Sequence, residues 1–225
     1  MAILALVILL GSLIQLKESS AEAKPEQSEP LRRHLQQILR DPGFVFYTLM
    51  GMLGMGAIIS YVNQAPGIAI SQGGLTPIGF ALCFGAIGLL QLSGSLLAYR
   101  LSRWFGIFNC LRLGLALATV CGISLFFLPA AHPLWFFIPV AVGAFGLNLT
   151  FGHGVSLAMA PFRHCSGSAA AINGMARLSG GGLVAMLFGY LDLPANQIVA
   201  LSFLVLLLLL PWIGAKASKA QMQAA

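Results

Sequence analysis

The chain has 225 residues, of which 58% are hydrophobic and only 8% charged, with a mean hydropathy of +0.90 and a formal net charge of +6. Soluble domains carry about 25% charged residues to keep their surface in water, so this composition excludes a water-soluble fold. The positive charge is scattered as short flanks between apolar runs instead of gathered on one accessible face, which argues against nucleic-acid binding and is how membrane topology is marked.

A spanning helix needs about 20 mostly apolar residues to cross the hydrocarbon core. Residues 1–16 form an apolar run somewhat short of that, ending at Lys17 and Glu18. Only Met1 precedes its core, and Glu18 to Ala23 (ESSAEA) is a poor cleavage site. The run therefore reads as a transmembrane helix shortened at its start, not as a signal peptide. Residues 17–42 are the one long polar stretch, with Lys24 to Pro30 (KPEQSEP) a flexible linker by composition. Leu31, Leu35, Ile38 and Leu39 then recur at helical spacing among Arg32, Arg33 and Arg40. That pattern fits a short amphipathic helix on the membrane surface, and equally a solvated linker helix. Six apolar segments of spanning length follow, 43–63, 78–99, 106–128, 134–158, 167–190 and 195–214. The expected organisation is thus a helix at 1–16, a cytoplasmic linker at 17–42, a six-helix bundle at 43–214 and a cytoplasmic tail at 215–225. The fold class is an all-α membrane protein with six to seven transmembrane helices.

Orientation follows from Lys and Arg. The linker carries Lys17, Lys24, Arg32, Arg33 and Arg40; two crossings later come Arg100 and Arg103, then Arg163, and last Lys216 and Lys219. The loops 64–77, 129–133 and 191–194 hold neither residue type. Arg112 is close enough to the Arg103 loop to snorkel back to it. Every loop agrees with a cytoplasmic linker and C-terminus.

Cys83, Cys110, Cys121 and Cys165 show no CxxC or Cys/His metal spacing, and read as small apolar fillers with no disulfide framework or metal site. Small residues four apart let helices approach closely in lipid. Gly167/Ala171, Ala170/Gly174, Gly181/Ala185 and Ala185/Gly189 place such spacing through the fifth segment, 167–190. Gly180-Gly181-Gly182 lacks the strand and the Lys of a phosphate-binding loop and reads as packing.

Ionisable and polar groups at membrane depth are costly and tend to face a cavity or the bundle interior. Arg177, in Asn173-Gly174-Met175-Ala176-Arg177, is the most informative. It is either an anion-attracting or gating group in a substrate cavity, or a structural tie to carbonyls or to a partner helix. Asn148 and His153 form a second cluster, where the histidine is a neutral hydrogen-bonding group or a proton relay. Asn63 and Gln64 close the first strong span, and Gln91, Ser93 and Ser95 sit in the second. Asn63, Gln64, Gln91, Asn148, His153, Asn173 and Arg177 are the candidates for a substrate pathway. No Asp or Glu lies inside a span, since Asp41 and Asp192 flank spans at the interface. With no P-loop, no HExxH and no Ser/His/Asp arrangement in an aqueous domain, the sequence offers no basis for an enzyme or a cofactor.

Gly94-Ser95-Leu96-Leu97-Ala98-Tyr99-Arg100-Leu101-Ser102-Arg103 resembles the G-x-L-x-D-R-x-G-R loop of the major facilitator superfamily, with Ala98 in place of the acid and Leu101 in place of the second glycine. Tyr61-Val62-Asn63-Gln64-Ala65-Pro66 is similar to the outer end of helix seven in its Bcr/CflA-type multidrug efflux subgroup. Ala158-Met159-Ala160-Pro161-Phe162, with Gly167-Ser168-Ala169-Ala170-Ala171 after it, resembles that subgroup's helix ten to eleven junction. The resemblance implies the C-terminal half of such a transporter, with 1–16 as the last helix of the first half and Gly94, Arg100 and Arg103 as a conformational loop. It implies drug-like substrate/proton antiport by alternating access in a bacterial inner membrane. The partners implied are membrane lipid, a small drug-like molecule, protons, and either an N-terminal half or a second copy. The competing expectation is a membrane protein without transport activity of its own, as a remnant or an assembly partner.

Overall fold

The computed structural model describes residues 31–127 and 133–213. The expected helix at 1–16, most of the linker and the tail at 215–225 lie outside the described residues. Every regular element among those described is helical, and six of the helices are long and apolar enough to cross a membrane. The protein is a multi-pass membrane protein. The described residues from Leu35 to Ile213 belong to one compact unit.

Helix α1 spans Leu31–Arg40; of the apolar residues at helical spacing, Ile38 is fully buried while Leu39 is exposed. Helix α2 (Pro42–Pro66) begins where Asp41 caps it, Phe44 N–H donating to Asp41 Oδ1 at 2.6 Å, with Pro42 in the first turn where its missing N–H costs nothing. The same device starts α3 (Pro77–Phe105), where Gly79 N–H donates to Thr76 Oγ1 at 3.1 Å. Then come α4 (Ile107–Phe127), α5 (Pro133–Met159), α6 (Ser166–Gly189) and α7 (Ala195–Leu204), the last continuing as a tighter 3₁₀ turn, Val205–Leu209.

Two boundaries differ from the sequence expectation. The first span was expected to end at residue 63, before Pro66. The helix instead passes through Pro66 and widens into a π-helical stretch, Gly67–Gln72, so the connection to the next span shrinks to 73–76. Proline removes its own N–H and its ring crowds the carbonyl four residues back; Ile68 and Ala69, both buried against the bundle, hold the continuation in place. The second span was expected to end at residue 99. It runs to Phe105 and turns at Gly106 (φ +79°, ψ 154°), a conformation open essentially to glycine alone. Arg100 and Arg103 are therefore exposed on the last turns of a helix and not on a free loop. Between α5 and α6 the chain kinks through the 3₁₀ segment Ala160–Cys165, with Phe162 off helical geometry (φ −109°, ψ 34°).

Packing follows two glycine-lined seams. In lipid there is little hydrophobic gain in pairing helices, so close van der Waals approach carries the association. At the α4/α5 crossing Gly114 and Gly146 face each other. A Cβ on Gly146 would lie 2.5 Å from the Gly114 carbonyl oxygen and 2.7 Å from Leu117 Cβ. Along the α2/α6 seam, Gly181 lies against Met55, and a Cβ on Gly56 would stand 2.7 Å from Val184 Cγ1. The small-residue pairs expected on α6 are thus used at Gly181/Ala185, where Ala185 is buried. Gly167, Gly174 and Gly189 meet nothing within 4 Å. Helices α3 and α6 are the least buried of the six spans. Aromatic contacts clamp the ends of α2. At its start Phe44 meets Phe162 edge-on at 5.6 Å and Phe46 stacks on Trp212 at 5.7 Å. Nearer its other end Tyr61 meets Phe84 at 6.0 Å.

Candidate functional site

The α2/α6 seam runs in parallel register: Thr48 is level with Asn173, Gly51 with Arg177, and Gly56 with Gly181 and Val184. Asn173, 3% exposed, donates from Nδ2 to Thr48 Oγ1 at 2.8 Å. One turn further along, the Arg177 side chain lies flat across α2, because Gly51 has no side chain there; a Cβ at Gly51 would stand 3.0 Å from Arg177 Cδ. The guanidinium carbon sits 4.6 Å from the centre of the Phe151 ring on α5. Arg177 Nε is buried without a hydrogen-bond partner. Beside it is a cavity of about 230 Å³ lined by Met55, Gly174, Arg177 and Leu178. Arg177 stands eleven residues in from Ser166 and twelve from Gly189. At about 1.5 Å per residue that is roughly 16 Å deep, near the middle of a core about 30 Å thick.

A second, larger cavity of about 400 Å³ opens farther along the same seam, lined by Ser60, Asn63, Gln64, Gly182, Ala185, Met186, Gly189, Tyr190 and Ile198. Asn63 and Gln64 thus share one site with Ser60, whose hydroxyl oxygen is buried and unpartnered, and they stand apart from Arg177. Gln91 and Asn148 bridge helices instead of lining either cavity. Gln91 Nε2 donates to the Tyr61 hydroxyl at 3.0 Å, joining α3 to α2. The Ser95 hydroxyl donates to Asn148 Oδ1 at 3.2 Å, joining α3 to α5, while Asn148 Nδ2 donates to Ala144 O at 3.0 Å. His153 Nδ1 is 2.8 Å from Leu149 O on its own helix, so one ring nitrogen is spent locally. Gly94 is buried against Phe145 on α5 and acts as a packing glycine. Thr48, Gly51, Ser60 and Phe151 are site residues that the sequence did not single out. No group of three or more His, Cys, Asp or Glu that could hold a metal occurs among the described residues.

The profile of the Major Facilitator Superfamily matches residues 1–185. The chain belongs to that superfamily. A curated relative, the uncharacterized MFS-type transporter YdgK of Bacillus subtilis, is 26% identical over 205 residues, covering 89% of this chain and 51% of its own length. The chain therefore spans about half the length of the curated relative it matches. No solved structure gives a significant match. The superfamily is one of membrane transporters.

The Thr48–Asn173 bond ties two of the elements that build this site. Asn173→Leu is expected to lower the melting temperature in detergent, and the double variant Thr48→Val/Asn173→Leu to lose less than the two single losses added together. Coupling of about 0.6 kcal/mol, and no more than about 1.7, is the scale measured for such bonds in membranes. Strict additivity in the double-mutant cycle would show that the bond contributes nothing.

Proposed function

We propose that the chain is the C-terminal portion of a Bcr/CflA-type multidrug efflux antiporter. It exchanges drug-like molecules for protons by alternating access in a bacterial inner membrane, with its linker and C-terminus cytoplasmic. One observation carries the reading. The two least covered spans, α3 and α6, hold polar side chains at membrane depth that are partly or fully uncovered: Ser95, Ser179 and Arg177. Polar groups on a lipid-facing surface are costly. They fit faces turned toward water or toward another set of helices, as in transporters whose substrate site lies between two repeats. Orientation rests on Arg100, Arg103 and Arg163 lying at one set of helix ends while the loops at the other set carry no Lys or Arg. Proton coupling would fall to carboxylates outside this bundle, since its described spans contain neither Asp nor Glu.

The test is export of cationic, neutral and anionic antibiotics from cells stripped of their own pumps. The chain is expressed alone and then together with the helices encoded immediately upstream. Export only in the second case is expected. Export by the chain alone would replace the two-half reading with a self-assembled pore. Silence in both, with the protein confirmed in the membrane, would sink the transport reading.

A further inference from the structure

The geometry points to a seat for an organic anion at Arg177, built by Gly51, Met55, Phe151, Gly174 and Leu178, which would select substrates bearing a carboxylate or a similar acidic head joined to an apolar body. It rests on the transport reading, whose substrate class it names.

Charge carries the first part. Among the described residues Arg177 is the one Lys, Arg, Asp or Glu far from both ends of its span. Arg40, Asp41, Arg100, Arg103, Arg112, Arg163 and Asp192 all lie within the first or last two turns of a helix or in the connections. A cation at that depth is costly unless something offsets it. Nothing anionic in the described bundle does so, because Asp41 is used capping α2 and Asp192 follows the end of α6.

Geometry carries the second part. Phe151 covers one face of the guanidinium at 4.6 Å, and a ring face attracts the cation without accepting any of its N–H bonds. Burial of Nε without a partner leaves a donor to be satisfied by whatever enters. The planar fork of an arginine suits a carboxylate, which can accept two parallel bonds from it. Gly51 fixes where the fork points: the aliphatic stem lies in the space a side chain would take, with Cγ and Nε 3.1 and 3.2 Å from the Cβ position. The adjoining cavity of about 230 Å³ is walled by Met55, Gly174 and Leu178. It could hold roughly seven waters at about 30 Å³ each, enough for an acidic head and part of a ring. Apolar walls around a single cation fit an amphipathic acid better than a strongly hydrated inorganic anion. A lipid phosphate is excluded by depth, since headgroups lie outside the hydrocarbon core.

The experiment is equilibrium binding to the full chain in phosphatidylcholine nanodiscs, which supply no anionic lipid. The probes are 1-naphthoate, its neutral isostere 1-naphthamide, the cation 1-naphthylmethylamine, and inorganic phosphate. Wild type is expected to bind naphthoate about tenfold or more tightly than the amide, the scale of a charge-assisted bond. Arg177→Gln should bring naphthoate down to the amide's affinity and leave the amide unchanged. Arg177→Lys, a point charge without the fork, should fall between. No naphthoate binding, no preference in wild type, or a preference that survives in Arg177→Gln would each overturn the seat. So would an equal loss for all three organic probes, which marks a merely structural arginine, or displacement of naphthoate by phosphate at matching concentration. The wild-type comparison needs no variant, so a misfolded substitution does not remove the test. Failed antibiotic export with the naphthoate preference intact would sink the transport reading alone. Export without the preference would sink this assignment alone.

Discussion

Gly146→Ala is expected to lower the thermal midpoint of the purified protein by roughly 6–12 °C, while Gly152→Ala, six residues along the same helix, raises it by a few degrees. The two substitutions add the same methyl group to α5 and differ only in what it meets. At Gly146 the new Cβ would sit 2.5 Å from the Gly114 carbonyl oxygen and 2.7 Å from Leu117 Cβ, so α4 and α5 must separate. The obstruction is another helix's backbone, which has no alternative rotamer to adopt. Overpacking costs about 1–3 kcal/mol and sometimes more, and a rigid obstacle places this case near 3 kcal/mol. For a chain of this size each kcal/mol moves the midpoint by about 2–4 °C. At Gly152 nothing lies within 4 Å, so the only change is helix propensity, which favours alanine by roughly 0.8–1.0 kcal/mol. The pair separates packing from propensity within one helix. Equal midpoints for wild type and Gly146→Ala would show that α4 and α5 do not cross at this level.

That crossing also shows where the sequence stops being informative. Six spans and most of their edges are legible to within a few residues, because a run of about twenty apolar residues bounded by polar ones can be little but a membrane span in a chain with 8% charge. Pro66 is where the pattern misleads. Proline ordinarily marks a helix end, yet burial of Ile68 and Ala69 pulls this helix onward. Small-residue spacing also runs through Gly114, Ala118 and Gly122 on α4 and Gly146, Thr150 and Gly154 on α5, but that Gly114 meets Gly146 depends on how the two helices cross, which neither run specifies. The site divides in the same way. Arg177 and Asn173 announce themselves as polar groups in apolar runs, whereas Thr48 lies 125 residues from its partner Asn173. Gly51 and Phe151 become meaningful only once α2 and α6 are known to run in parallel register with α5 alongside. A single sequence carries depth along a helix well and rotation about it poorly, and partner choice depends on rotation.

Depth alone is enough for the second large effect. Arg177→Leu is expected to raise the thermal midpoint, even though it removes the most conspicuous polar group in the bundle. On insertion scales an arginine at the centre of a span costs about 2.5–3.5 kcal/mol, and a leucine there is favourable by about 0.3–0.6. Against that stands the loss of the contact with Phe151, worth about 2 kcal/mol when desolvated. The methylene packing of the stem over Gly51 is largely replaced by the leucine itself. The balance favours the variant by about 1 kcal/mol or more, which for this chain length is roughly 2–4 °C. Had the guanidinium been a structural tie, bonded to carbonyls of neighbouring helices, the same substitution would strand those groups and cost stability. Its buried Nε has no such bond. A scanning-fluorimetry or light-scattering melt of the two proteins therefore decides between the readings, and a midpoint that falls by several degrees would assign Arg177 to the scaffold. A rise would mean that the bundle carries a group it folds better without. Natural chains keep such groups where function requires them and stability permits, and a mid-membrane cation with an unpartnered Nε is then held in place for its ligand.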